Sequence, residues 1–158
     1  MIWTKWVLRV KTDASGKLDK YKARVVAKGY RQMEGVDYDE TFAPTVRLES
    51  VRALVALAAS MGWELHQMDV ATAFLYAKLA EETFVDIPEG VVPIRKGERV
   101  WKLRKCLYGL KQSPRMWNMT TDKVLHDMGS SDLLLNMELM SWGRGMTKSS
   151  WRCMWTIC

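Results

Sequence analysis

The chain has 158 residues, 48% hydrophobic and 27% charged, with a net charge of +6; that is enough for one domain with a core, in the composition range of soluble globular chains. No apolar run approaches the roughly 18 residues of a membrane span; the longest is Ala53–Ala59, and no signal-peptide core stands at the N-terminus, so an intracellular chain without membrane partners is expected. Cys106, Cys153 and Cys158 fit neither a paired framework nor a metal spacing, so free thiols are expected.

In chain order, Lys5–Lys11 alternates and is β-branched, which predicts a strand. Asp13-Ala14-Ser15-Gly16 is a turn cluster. The return strand runs from Leu18 to Lys28, with Tyr21, Ala23, Val25 and Ala27 on one face and Lys20, Lys22, Arg24 and Lys28 mostly on the other. Gly29 to Pro44 is polar and irregular. Val46 to Met61 predicts a helix: Val51, Leu54, Val55, Ala58 and Ala59 recur at helical spacing and Gly62 follows as its cap. Glu64 to Val70 predicts a short strand ending in an acid, and Thr72 to Leu79 a short helix. Thr83–Ile87 and Arg99–Leu103 read as two paired strands. Ser113-Pro114 opens a helix whose buried stripe would hold Met116, Met119, Val124, Leu125 and Met128. After Gly129 the periodicity is lost, and the tail is expected to be irregular. Strands and helices mix without a βαβα rhythm, so the class is α+β.

The charge is unevenly spread. Residues 1–36 carry a net +6, residues 37–94 a net −7 and residues 95–116 a net +7. Two basic blocks around an acidic one suit a polyanion together with a divalent metal, although Lys and Arg on solvated strand faces would give the same totals.

Six stretches, read in order, carry a resemblance. They are Lys5-Trp6-Val7, Tyr21 to Gly29, Gly35 to Pro44, His66 to Leu75, Pro88-Glu89-Gly90, and Leu107 to Arg115 with Trp117 just beyond. Together they resemble the reverse transcriptase domain of Ty1/copia-type retrotransposons, over about residues 5–129. The resemblance implies a fingers β-hairpin (about 1–45) and a partial polymerase palm (about 46–129), an antiparallel sheet with packed helices. It implies RNA-directed DNA synthesis from deoxynucleotides on an RNA or DNA primer–template.

By that resemblance Asp69 is the first catalytic aspartate, and it would ligate metal together with the Val70 backbone carbonyl. Polymerases of this kind use two Mg²⁺ ions, which take hard oxygen ligands. Taken in isolation, an aspartate before a helix is commonly its cap. Lys22 and Arg24 are candidates for gripping the triphosphate, or else a solvated strand face; spacing does not choose between the two cations. Ala71, Thr72 and Ala73 would let backbone amides approach the phosphates. Phe74 would pack under the sugar and exclude a 2′-hydroxyl, or be an ordinary core ring. Tyr108 and Gly109 would shape the nucleotide pocket, and Lys28, Lys111, Gln112 and Arg115 would meet nucleic acid. Trp101 and Trp117 read as core, and His66 and His126 are given no metal role.

The family's second catalytic motif, Tyr-Xaa-Asp-Asp, is absent: the sequence has no Asp-Asp pair. Residues 130–158 explain this if they are read one nucleotide out of frame. Met154 and Trp155 have single codons, and the displaced reading then forces Val followed by Asp; Leu-Tyr-Val-Asp-Asp-Leu is a permitted solution across Arg152–Cys158. A one-base deletion near Gly129 would account for the whole tail, with a divergent tail as the alternative. One aspartate is not a two-ion site, so the chain is expected to be catalytically incomplete, a non-catalytic nucleic-acid-binding remnant, or the poorly folded product of a decayed gene. Template preference, host and subunit state are not written in the sequence.

Overall fold

The computed structural model describes residues 1–93, 97–127, 139–143 and 151–157. Strands β1 (Thr4–Thr12), β2 (Leu18–Ala27), β3 (Glu64–Asp69), β4 (Phe84–Asp86), β5 (Val100–Lys102), β6 (Leu139–Gly143) and β7 (Trp151–Ile157) share the chain with helices α1 (Leu48–Met61) and α2 (Ser113–Asp127). The class is α+β. Two compact units divide it: Met1–Thr41 with Phe74–Met116, and Phe42–Ala73 with Trp117–Cys158.

In the first unit β1 and β2 form an antiparallel hairpin. Its turn is closed by Asp13, whose carboxylate accepts from the Ser15 backbone N–H (2.8 Å), the Ser15 hydroxyl (2.6 Å) and the Lys17 N–H (3.0 Å). These donors, the Ser15 hydroxyl foremost, hold the Asp13 carboxyl below its ordinary range. Near the base of the hairpin, Ile2 bonds to one edge of β4 on either side of Val85: its N–H donates to the Phe84 carbonyl (2.9 Å), and its own carbonyl accepts from the Asp86 N–H (3.0 Å). β4 pairs antiparallel with β5, as the sequence predicts. Ile2, Ala27, Val85 and Leu110 are the buried centre of this unit, with Leu79, Trp101, Leu103 and Leu107 packed around them.

In the second unit α1 ends where Gly62 takes a left-handed φ of 67° and its N–H bonds to the Ala58 carbonyl. Leu54 and Ala58 are buried, four residues apart, and Leu54 packs with Val46, Val51 and Trp63. Val55 and Ala59, expected on that stripe, face outward, so the buried face is narrower than the apolar pattern suggests. β3 pairs in parallel with β7, and β7 pairs antiparallel with β6.

Three expectations are corrected. The helix expected over Thr72–Leu79 is a single 3₁₀ turn, Ala73–Tyr76. Thr72 precedes it with φ 56°, a conformation that a β-branched residue adopts only under constraint, so the helix does not propagate back through it. In α2 Met119 and Val124, expected on the buried stripe, are exposed, while Leu125 of that stripe and Trp117 are buried as expected. Trp117, Thr121 and Leu125 fall at four-residue steps, and that row turns inward instead of the methionine row; Met128 lies outside the described residues. The tail, expected to be irregular, contains β6 and β7. The alternation of Trp151, Cys153, Trp155 and Ile157 with Arg152, Met154 and Thr156 is a period-2 pattern rich in strand-forming types.

Candidate functional site

The register of the hairpin sorts its residues by face. Lys5 lies opposite Val26, Val7 opposite Arg24, Arg9 opposite Lys22 and Lys11 opposite Lys20. Directly paired residues share a face, so Lys5, Arg9, Lys11, Lys20, Lys22 and Arg24 form one cationic surface. Two of these pairs, Arg9–Lys22 and Lys11–Lys20, set like charges against each other, an arrangement that costs stability in a bare hairpin. A polyanion laid on that face removes the cost.

Arg24 is half-buried, and its guanidinium carbon lies 5.5 Å from the ring centroid of Tyr108. Phe74 meets the same ring edge-on, with centroids 5.0 Å apart and planes at 60°. The structure thus gathers four expected pocket residues, Arg24, Phe74, Tyr108 and its neighbour Gly109. Local backbone chemistry sets this cluster. The Ala27 N–H donates to the Tyr108 carbonyl (2.7 Å), tying the end of β2 to the loop before α2. Gly109 has φ 92°, and a Cβ there would fall 2.1 Å from the Ala27 carbonyl oxygen; one on Gly29 would fall 2.0 Å from the Gly109 oxygen. Only glycine at both positions allows this approach.

Beneath the loop lies an amide lock with no sequence signal. Gln32 and Gln112 are both buried. Gln32 Nε2 donates to Gln112 Oε1 (2.9 Å), and its own Oε1 accepts the Lys111 backbone N–H (2.7 Å). Gln112 Nε2 reaches the Asp37 carbonyl (3.1 Å). Gln112, expected at the nucleic-acid surface, is therefore turned inward, because its amide completes these buried bonds. Gln32 was not singled out: an isolated glutamine in an irregular stretch has no periodicity to mark it.

The other expected contacts divide. Lys111 is exposed, with Nζ 3.0 Å from the Tyr38 hydroxyl and 4.9 Å from its ring centroid. Lys28 lies 5.4 Å over the Trp3 ring, and Arg31 lies 4.3 Å over the same ring. Arg115 is half-buried and ion-paired with Glu40 at 2.7 Å. Lys22 is half-buried on the cationic face. Trp101 is packed against the core of the first unit, and Trp117 is buried.

In the second unit Asp69 is the exposed last residue of β3, directly opposite Ile157 of β7. Val70 follows half-buried, Ala71 and Thr72 are exposed and Ala73 is buried. Thr72 holds its left-handed backbone with its hydroxyl 2.7 Å from the Ala71 carbonyl. Strain of this kind concentrates at functional turns. Among the described residues no group of three His, Cys, Asp or Glu side chains could hold a metal ion. Two divalent cations close together need several anionic oxygens, so a lone Asp69 carboxylate does not fit a two-ion centre.

Comparison with known proteins bears on the family of the chain. The profile of the reverse transcriptase (RNA-dependent DNA polymerase) family matches residues 1–148. The retrovirus-related Pol polyprotein from transposon TNT 1-94 of Nicotiana tabacum is 48% identical over 121 residues, 77% of this chain and 9% of that protein. The corresponding polyprotein from transposon RE2 of Arabidopsis thaliana is 37% identical over 145 residues, 92% of this chain and 10% of that protein. The transposon Ty1-ER2 Gag-Pol polyprotein of Saccharomyces cerevisiae is 30% identical over 110 residues, 66% of this chain and 6% of that protein. The chain thus spans about a tenth or less of the length of these relatives. No solved structure matches it. By these matches the chain belongs to the reverse transcriptase (RNA-dependent DNA polymerase) family, among its Ty1/copia-type members.

Proposed function

We propose that this chain is the fingers and first part of the palm of a copia-type RNA-directed DNA polymerase, able to hold primer–template and deoxynucleotide but not to join them. The observation that carries the reading is the Arg24–Tyr108–Phe74 cluster, locked by Gly29 and Gly109 beside a hairpin face bearing six cations. In this reading Arg24, with Lys22 beyond it, neutralises the triphosphate. Tyr108 and Gly109 form the wall, and Phe74 lies where a sugar's 2′-hydroxyl would clash. Of the Ala71, Thr72 and Ala73 backbone amides that the resemblance assigns to phosphate, Ala71 and Thr72 belong to exposed residues and Ala73 to a buried one. Lys28 and Lys111 stand toward nucleic acid. Arg115 supports the loop through Glu40.

Magnesium is the ion such a site would take, and Asp69 with the Val70 carbonyl is what this chain offers it. The missing carboxylates belong, in this reading, to a displaced frame beyond Gly129. Support comes from strand order: β7 contains Met154 and Trp155, across which the other frame forces Val-Asp, and it runs directly beside β3, with Met68 opposite Thr156 and Asp69 opposite Ile157. A Tyr-Val-Asp-Asp segment encoded there would come beside Asp69.

Fluorescence anisotropy with a labelled primer–template tests the binding half. Binding should weaken steeply as salt rises, because phosphate contacts release counterions, and Arg24→Ala should lower the affinity for deoxynucleotide in the ternary mixture. No binding even at low salt would refute the reading. Genomic DNA tests the other half: a frame downstream of Gly129 that does not encode Tyr-Val-Asp-Asp would remove the frameshift.

A further inference from the structure

The face of the hairpin opposite the cations carries no charge from the Trp6–Val25 pair to the Val10–Tyr21 pair; Asp19, beyond them at the bulge, is ion-paired with Lys20 at 3.7 Å. Trp6 lies opposite Val25, Leu8 opposite Ala23 and Val10 opposite Tyr21. Trp6, Leu8, Val10 and Tyr21 are 42%, 74%, 62% and 76% exposed. An aromatic side chain can bury about 150–250 Å² and a Leu or Val about 100 Å², so these four expose roughly 400 Å² of apolar surface. With Ala23 and Val25 the face approaches the apolar share, about 450–500 Å², of each half of a standard protein–protein interface.

The arrangement is self-complementary. Large residues stand at two diagonal corners, Trp6 and Tyr21, and valines at the other two, with Leu8 across from Ala23 in the middle row. A two-fold axis parallel to the strands sets a second hairpin face to face on the first. Trp6 of each copy then covers Val25 of the other, Leu8 covers Ala23 and Tyr21 covers Val10. Every large side chain meets a small one, as interdigitated sheet packing requires. The Trp6 indole N–H is already bonded to the Glu89 carbonyl (2.9 Å), so burial leaves no orphaned donor there. No like charges are brought together, because all six cations point away from the joint.

We infer that this face is the contact of a symmetric homodimer, with a second copy of the chain as its occupant and two cationic surfaces turned outward. The contact is independent of catalysis and of the nucleotide cluster.

Sedimentation velocity on the nuclease-treated full chain in 0.5 M salt tests it. The mass should move from 18.2 kDa toward twice that value as concentration rises. Leu8→Lys and Tyr21→Ser should each weaken association at least tenfold, with circular dichroism unchanged because both positions are exposed. Lys11→Gln, on the cationic face, should leave association intact. A monomer at every concentration up to about 100 µM, open-ended oligomers, or a dimer indifferent to both apolar-face variants would overturn the inference. So would a monomer that instead floats with phosphatidylserine vesicles, since lipid would then be the occupant.

Discussion

At the scale of single residues the site depends on contacts too close for any side chain. Gly109→Ala places a methyl against the Ala27 carbonyl at a left-handed φ. It should cost about 2–4 kcal/mol, read as a fall in melting temperature together with loss of nucleotide affinity. Gln112→Leu should cost about 2–3 kcal/mol, because Gln32 loses the amide it donates to inside the protein. The Gln32→Leu/Gln112→Leu double variant should cost less than the two singles added, since it leaves fewer amide groups unpaired; strict additivity in chemical denaturation would show that the lock is not one unit. Cys106 is buried, and desolvation pushes its thiol up, so it should label with thiol reagents only on unfolding. The sequence made Phe74, Tyr108 and Gly109 legible because they stand inside long motifs. Gln32 and the left-handed Thr72 were not legible: one is an unpatterned polar residue and the other a conformation opposed to its own side-chain preference.

At the scale of elements the hairpin balances local chemistry against function. Lys22→Glu would turn the Arg9–Lys22 repulsion into an attraction. It should stabilise the hairpin by about 0.5–1 kcal/mol while weakening primer–template binding, measured by melting and anisotropy on one sample. A variant weaker in both would show that the cations serve structure. The turn has its own pH signature. Its donors lower the folded pKa of Asp13 below the ordinary 3.8, so the contribution is present above that value and is lost as pH falls from it through the folded pKa. The amide shifts of Ser15 and Lys17 should follow this titration, and Asp13→Asn should abolish it. Strand alternation exposed β1 and β2 plainly, and the Gly62 stop fixed the end of α1. In α2 the burial of Trp117 and Leu125 was legible, whereas Met119 and Val124, apolar residues at helical spacing that imitate a buried stripe, are exposed. β7 escaped because its alternation was read against a tail without other order, and strand formation there depends on pairing with β3, a partner more than eighty residues away.

At the scale of the molecule the charge blocks suit the functional reading and the carboxylate count limits it. The first unit is assembled from two separated stretches, which a linear reading of charge and periodicity does not foresee. Inserting one T after the Gly129 codon should restore the Tyr-Val-Asp-Asp frame and, with it, polymerase activity dependent on Asp69. The direct test is single-nucleotide primer extension by the unaltered chain with Mg²⁺ and one complementary deoxynucleotide. The expected result is a bound primer that does not lengthen; template-directed extension that Asp69→Asn abolishes would contradict the account.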